Sequence, residues 1–438
     1  MAPDNSVPDS TTLSPSGSFF RFAREQWRGR LARNLVGAIF WQLLAKLLQL
    51  AGVAYAARCL GAASLGLSGT VMVAATQLQM LLDFGLDFVA IRHVAAKTAA
   101  LPDLVRAIFT LRLLLSCAVA LLWLSAVAIV PAAIETKLVW ALGAPFLVVI
   151  AVNYSWYFLA TDRTARYSLV QLAASLTVSL SYLGLFHPNQ RAGSDLAVFV
   201  VVNGVIAAVV WMHIRRACQC GLFDIGKLDH AWKLLVEGRP NWLFALGYFS
   251  LSSLNLPLIY MLLGDHPAGL YRSAAILANT LQLFLAYVGY TLAPRIVEWR
   301  ARDAALMRHR VLWVATALCI AGLAAFGILA VLHRTVFQLC FGQQYLDGSP
   351  LLPVLVLGKF LATASGVLVW ALYACQRDWL AVKCCLPPLA AGLLLNFVLL
   401  PTHGVAASAW LNGLAELALF AGCLGVFLRL KLEPSKPA

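Results

Sequence analysis

The chain has 438 residues, of which 61% are hydrophobic and only 12% are charged. Because soluble domains carry about 25% charged residues, this composition excludes an ordinary soluble protein. The formal net charge is +14. A basic surface facing anionic lipid explains this charge, so no nucleic-acid partner is expected.

The N-terminal segment precedes the first apolar stretch. Residues 1–18 are rich in Pro, Ser, Thr and Asp and lack the pattern of a signal peptide, which predicts a disordered cytoplasmic tail. Residues 19–33 combine three phenylalanines and one tryptophan with five arginines. This mixture is typical of an amphipathic helix that lies on the membrane surface.

Twelve apolar stretches follow, each long enough to cross a membrane. About 20 apolar residues cover roughly 30 Å of hydrocarbon, and the backbone must be helical there because no water satisfies its polar groups. The sequence therefore predicts an all-α polytopic membrane protein. We call the stretches spans 1 to 12, and in order they cover residues 35–57, 66–90, 107–130, 138–160, 167–186, 196–214, 241–263, 269–293, 311–332, 350–374, 379–400 and 404–428.

The basic residues predict how these spans are oriented. With the N-terminus placed in the cytoplasm, 24 Lys and Arg residues fall in cytoplasmic segments and only four in outer loops. Cytoplasmic loops of membrane proteins carry an excess of Lys and Arg. We therefore expect both termini in the cytoplasm.

A repeat at an offset of 203 residues organises the chain. The first copy has Leu60-Gly61, Gly66-Leu67, Gln79 and Arg92, and the second has Leu263-Gly264, Gly269-Leu270, Gln282 and Arg295. Each half then holds six spans, and because six is even both halves enter the membrane in the same direction. This predicts two six-helix lobes, residues 34–214 and 240–428, related by a pseudo-twofold axis along the membrane normal. Residues 215–239 form a cytoplasmic linker and residues 429–438 a cytoplasmic tail.

Charged side chains deep inside spans mark candidate sites, because each costs about 2.5–3.5 kcal/mol at the centre of the bilayer. Lys46 lies near the middle of span 1 and Lys359 deep in span 10. Both are candidates for binding an anion. The structural alternatives are ion pairs, Lys46 with Asp83 and Lys359 with Glu416. The same two acids are the candidate residues for ion coupling.

Weaker candidates lie nearer the ends of spans. Arg58 and Arg272 mark the outer ends of spans 1 and 8, and Arg112 lies one turn inside span 3, where its side chain can extend to the inner surface. Asn153 either lines a cavity or bonds between helices. Asp87 or Asp83 has Arg92 as a candidate partner.

The balance of these charges indicates the substrate class. Deep cations outnumber deep acids, whereas an exporter of cationic drugs needs carboxylates. Lysine and arginine suit an anionic group such as phosphate. The absence of a Walker motif from the sequence favours secondary transport by lobes that rock about a central cavity.

The chain also resembles a known family at several of these residues. The motifs are Ala57-Arg58-Cys59-Leu60-Gly61 with Gly66, Asp83-Phe84-Gly85-Leu86, Ser155-Trp156-Tyr157 through Arg166, Gly269-Leu270-Tyr271, Phe341-Gly342 to Tyr345, and the stretch from Asn396 to Ala407. In order and spacing they resemble the polysaccharide-transport branch of the multidrug/oligosaccharidyl-lipid/polysaccharide exporter superfamily. Many members carry an acid in helix 7, where this chain has Ser252 to Pro257, and Pro257 should kink that span.

The resemblance implies a flippase, not an enzyme. It would move a polyprenyl-pyrophosphate-linked oligosaccharide from the inner to the outer leaflet of a bacterial inner membrane, for O-antigen, capsule or exopolysaccharide assembly. A polysaccharide polymerase and glycosyltransferases are the expected partners, with no cofactor and no metal. The alternatives are a drug or metabolite antiporter on the same fold and a membrane protein that does not transport.

Overall fold

The computed structural model describes residues 32–95, 100–152, 154–161, 163–188, 190–219, 239, 242–251 and 253–430. Within these ranges the protein is helical apart from short connections, and no strand occurs among them. The predicted tail 1–18, residues 19–31 of the amphipathic segment 19–33, most of the linker and residues 431–438 lie outside the described residues.

The helices follow the predicted spans. The N-terminal lobe contains Ala32–Asp83, Leu86–Ala95, Leu101–Ile129, Ile134–Ala141, Gly143–Ala151, Ser155–Ala160, Thr164–Leu185 and Ser194–Cys218. The C-terminal lobe contains Trp242–Leu251, Asn255–Leu263, Asp265–Arg302, Ala304–Cys340, the 3-10 turn Gln343–Gly348, Leu351–Ala374 and Asp378–Arg429.

Twelve membrane spans can be assigned to these helices. By length and composition eight described helices qualify, and the bent pair Trp242–Leu251 and Asn255–Leu263 supplies a ninth. Two of the eight are double, because non-helical backbone at Gly61 and Gly404 divides each into two spans. The less apolar helix Asp265–Arg302 supplies span 8. The prediction of an all-α protein with about twelve spans is confirmed.

The repeated Leu-Gly sequence forms the same turn in both lobes. Gly61 has φ 76° and ψ 166°, and Gly264 has φ 94° and ψ −173°. This region of backbone conformation is accessible almost only to glycine. The repeat seen in the sequence is thus a repeat of backbone geometry. We call the end of the bundle that contains these turns the Gly61 end, and the opposite end, where span 2 stops, the Asp83 end.

Spans 2 and 8 cross with their backbones in contact. A Cβ atom added to Gly66 would overlap the carbonyl oxygen of Asp265, and one added to Gly269 would overlap that of Ala62. No side chain fits at either position. We call this contact the glycine crossing, and it joins the lobes near the Gly61 end.

Span 7 is broken, as its sequence predicts. Trp242–Leu251 and Asn255–Leu263 meet at an angle of 44°. Pro257 lies in the first turn of the second piece, where its missing N–H costs little. At the Asp83 end the first piece contacts span 2, because Trp242 Nε1 donates to the carbonyl oxygen of Met80 at 3.0 Å and its ring stacks on Phe84.

Candidate functional site

A cavity of about 320 Å³ lies where spans 1, 2, 7 and 8 meet. Its polar and charged lining residues are Lys46, Gln49, Ser253, Tyr271, Arg272, Asn279 and Thr280. Apolar side chains of Leu50, Val53, Met72, Val73, Leu256, Ala275 and Ile276 complete the wall together with Gly69. No Asp or Glu is among the described residues that line it. The cavity is therefore basic, and we call it the central cavity.

Lys46 reaches the central cavity from span 1. Its Nζ donates to Gln49 Oε1 at 2.8 Å, one turn further along the same helix. The side chain is half-buried. The alternative ion pair with Asp83 is not formed, because Asp83 bonds to Arg112.

Arg272 enters the central cavity from span 8 and contacts the other lobe. Its Nη1 donates to Ser68 Oγ at 2.7 Å and to the carbonyl oxygen of Leu65. Its guanidinium lies over Gly69, where a Cβ atom would meet the arginine side chain. Glycine at this position is what lets the guanidinium cross span 2.

Asp195, which the sequence patterns do not single out, completes this contact. It lies in the first turn of the helix Ser194–Cys218, which forms span 6, with 5% of its surface exposed. Its Oδ2 accepts from Ser68 Oγ at 2.8 Å and faces Arg272 Nη2 at 3.5 Å. An acid at a helix N-terminus is common, so nothing in the sequence distinguishes it; only the partner Arg272 reveals its role.

Arg58 lies apart from the central cavity. It is exposed at the Gly61 end and donates to the carbonyl oxygens of Leu339 (Nη2) and Cys340 (Nε, 3.1 Å). These carbonyls end span 9, so Arg58 satisfies helix-terminal acceptors. Nearby, Tyr345 donates its hydroxyl to the carbonyl oxygen of Ala57 at 2.8 Å. Both contacts join the two lobes.

Arg112 is buried, contrary to the expectation that it extends to the inner surface. Only 3% of its side chain is exposed, and its Nη2 donates to Asp83 and, at 2.7 Å, to Asp87 Oδ1. The two acids flank the break of span 2, where Phe84 and Gly85 both have positive φ. The expected partner Arg92 has a side chain outside the described set. We call Arg112, Asp83 and Asp87 the N-lobe triad.

Lys359 and Glu416 lie inside the C-terminal lobe. Both are buried, 5% and 1% exposed, and they interact electrostatically between spans 10 and 12. Neither lines the central cavity. Span 10 is buried along almost its whole length, so Lys359 has to be neutralised within the lobe. We call them the C-lobe pair.

An amide cluster connects the C-lobe pair to the central cavity. Asn396 Nδ2 donates to Asn255 Oδ1 at 3.1 Å. The hydroxyl of Tyr271, a residue that lines the cavity, interacts with the side chains of Asn255 and Asn412 and with the charge of Glu416. A change in the charge of Glu416 therefore alters the interactions of Tyr271 in the cavity wall.

The remaining predicted residue, Asn153, lies outside the described residues. Among those described, no group of three or more His, Cys, Asp or Glu residues could hold a metal ion.

Comparison with known proteins gives the family. Residues 31–299 match the family described as "Polysaccharide biosynthesis protein". The chain belongs to this family. The resemblance inferred from the sequence motifs is thereby confirmed.

A curated relative is the probable low-salt glycan biosynthesis flippase Agl15 of Haloferax volcanii, 21% identical over 254 residues. The aligned stretch covers 56% of this chain and 52% of the relative, so the chain spans about half the length of the curated relative that it matches.

Two solved structures have the same fold. One is the lipid II flippase MurJ in an inward closed conformation, with a TM-score of 0.71 and 11% identity over 90% of this chain and 87% of that one. The other is a point mutant of the Vibrio cholerae MATE transporter VcmN, with a TM-score of 0.58 and 16% identity over 92% and 98%. The chain thus shares its architecture with a solved flippase and a solved transporter.

Proposed function

We propose that this protein is a flippase for a polyprenyl-pyrophosphate-linked oligosaccharide. The observation that carries the proposal is the central cavity, which is lined by Lys46 and Arg272 and by no described carboxylate. A pyrophosphate bears at least two negative charges, and one ammonium with one guanidinium is a matched counter-charge. Gln49, Ser253 and Asn279 supply hydrogen-bonding groups for the sugar next to it.

The lobes would expose this cavity to each side of the membrane in turn. The Gly61 end is held by the glycine crossing, by Arg272 and by Arg58, and the Asp83 end by Trp242 against Met80 and Phe84. We assign the Gly61 end to the outer face, because the basic loops favour the Asp83 end in the cytoplasm. Loading from the inner leaflet then requires the Trp242 contact to open, and release requires the contacts at the Gly61 end to open.

The lipid tail need not enter the cavity. Leu50 lines both the central cavity and a second cleft between span 1 and the end of span 9, which is mostly apolar and has Arg58 at its edge. A polyprenyl chain can therefore remain in the bilayer while the headgroup crosses. We place the protein in a bacterial inner membrane, in assembly of O-antigen, capsule or exopolysaccharide, beside a polymerase and glycosyltransferases.

The test is flipping in proteoliposomes. Purified full-length protein is reconstituted with a fluorescent polyprenyl-pyrophosphate oligosaccharide, and the fraction accessible to an externally added, membrane-impermeant glycosidase is followed over time. The wild type should make the inner-leaflet pool accessible. Arg272→Gln and Lys46→Gln should abolish this, whereas Lys383→Gln, at an exposed lysine of span 11, should behave as the wild type.

Two results would contradict the proposal. One is flipping at the wild-type rate by the Lys46→Gln/Arg272→Gln double variant. The other is uptake of an organic cation by the same vesicles without flipping of the lipid, which would favour the antiporter.

A further inference from the structure

We propose that Asp195 is an internal anion that occupies Arg272 while the central cavity is empty, and that the phosphate of the substrate displaces it and so releases the lobes at the Gly61 end. The proposal rests on the proposed function for the anionic nature of the substrate. It adds a competitor residue and a link between binding and opening.

The carboxylate of Asp195 is held incompletely. It is almost fully buried, and Oδ2 accepts one good hydrogen bond, from Ser68 at 2.8 Å. Among the residues that the structure describes, no donor reaches Oδ1. A buried carboxylate oxygen without a donor is costly, so this acid is placed for a partner rather than for stability of its own lobe.

The contact between Asp195 and Arg272 is easy to exchange. The distance of 3.5 Å from Nη2 to Oδ2 exceeds the roughly 2.7–2.9 Å of a strong charge-assisted bond. The other acceptor near Nη2 is Met72 Sδ at 3.3 Å, and a thioether is a weak acceptor. A phosphate oxygen in the central cavity would be a better acceptor than either.

The exchange would also break a link between the lobes. Asp195 and Ser68 belong to the N-terminal lobe and Arg272 to the C-terminal lobe, one turn from the glycine crossing. The crossing itself is a contact of backbones, and Arg272 adds a polar side chain that connects spans 2, 6 and 8. A ligand shifts an equilibrium only if it binds the two states differently. Here the two states are the one in which Arg272 contacts Asp195 and the one in which it does not, and the anion binds more tightly to the second.

The order of events then follows from charge. The substrate takes Arg272 from Asp195, the Gly61 end opens and the headgroup leaves. In the empty protein Asp195 recovers Arg272 and closes that end again. The backbone of Asp195 stays fixed throughout, because Tyr182 donates its hydroxyl to the Asp195 carbonyl oxygen at 3.0 Å.

The deciding experiment measures binding of inorganic pyrophosphate to the purified full-length protein by titration calorimetry. The wild type should bind and Arg272→Gln should not. Asp195→Asn, which keeps the size but removes the charge, should bind at least about fivefold more tightly, the lower end of ordinary coupling between sites. The matched control is Asp265→Asn, at an exposed acid near the glycine crossing whose carboxylate accepts from the backbone N–H of His266, and its affinity should match the wild type.

A second readout follows the lobes directly. Spin labels at Ala63 and His266, in a variant without native cysteines, report the separation across the Gly61 end. Pyrophosphate should shift the wild type toward longer distances, and Asp195→Asn should show the longer distances without pyrophosphate.

The outcomes separate the two proposals. If the wild type binds no pyrophosphate, or binds it equally with Arg272→Gln, the anion site of the proposed function fails. If binding depends on Arg272 but Asp195→Asn leaves the affinity unchanged or weaker, only the competitor role is overturned. Should Asp195→Asn not fold, Asp195→Ser, which also removes the charge and keeps a polar group, must tighten binding, and an unchanged affinity there overturns the proposal.

Discussion

The two lobes share a backbone frame but bury different charges. Gly61 and Gly264 form the same turn, and the repeated glycines Gly66 and Gly269 meet at the crossing. By contrast, the N-lobe triad sets one arginine between two aspartates, whereas the C-lobe pair is one lysine and one glutamate. The lobes are alike at the positions where backbone geometry leaves no room for a side chain. They differ in their buried charges, which admit several neutralising arrangements.

The largest effect should come from removing the cation of the N-lobe triad. Arg112→Met leaves Asp83 and Asp87 adjacent without their shared partner, and breaking a buried ion pair costs about 3–5 kcal/mol. We expect a large fall in the melting temperature of the purified protein, measured as the temperature at which its monodisperse peak in size-exclusion chromatography is lost. Adding Asp87→Asn should recover part of the loss. If Arg112→Met melted as the wild type does, the triad would contribute nothing to stability.

The C-lobe pair should respond differently because it is balanced. Lys359→Met alone leaves Glu416 buried and uncompensated, a cost at the lower end of about 3–5 kcal/mol. The double variant Lys359→Met/Glu416→Leu removes both charges and should regain near-normal stability. The flipping activity of this double variant decides the role of Lys359. If the variant still flips lipid, Lys359 and Glu416 only stabilise the lobe. If a stable double variant no longer flips lipid, the C-lobe pair is coupled to the cavity through Glu416 and Tyr271.

The shared frame is tested at the glycine crossing. Gly66→Ala and Gly269→Ala each push a methyl group against backbone of the other lobe, and overpacking typically costs about 1–3 kcal/mol. The two variants should be similarly destabilised, as the pseudo-symmetry requires. Gly327→Ala in span 9, where the new methyl group meets no atom within 4 Å, is the control and should be neutral or stabilising by up to about 1 kcal/mol. Unequal losses at Gly66 and Gly269 would argue against a symmetric crossing.

The smallest effect is expected at Arg58, the exposed arginine of the Gly61 end. Arg58→Gln loses a favourable contact with the end of span 9, worth about 0.3–1 kcal/mol. Because Arg58 is outside the central cavity, pyrophosphate affinity should not change, in contrast to Arg272→Gln. A loss of affinity comparable with that of Arg272→Gln would show that Arg58 contacts the substrate after all.

Much of the architecture could be predicted from the sequence, because hydropathy and charge report depth in the membrane. The spans, the repeat and the bend of span 7 before Pro257 all follow from local patterns. Depth does not report which way a side chain faces around its helix. Arg112 is one turn inside span 3, a depth from which a long side chain can reach water, yet its direction toward span 2 makes it a buried partner of Asp83.

The site is harder to predict for the same reason. Lys46 and Arg272 are candidates by their depth, and the structure brings both to one cavity, but Lys359, also a deep cation, faces the interior of its lobe. Asp195 gives no signal, because an acid at the start of a span is cheap and common. Its importance depends on a residue 77 positions away, and only the packing of spans 2, 6 and 8 brings the two together.

The glycine crossing has a consequence for inheritance and for engineering. Where two segments touch by backbone alone, no change of a side chain elsewhere makes room for a Cβ atom, so both glycines must be kept. Cavity-lining residues two turns away, such as Val73 and Ile276, take no part in the crossing and are free to change with the cargo. A library that varies substrate choice should therefore leave Gly66 and Gly269 untouched and randomise such wall residues, since the contact between the lobes would survive in every member.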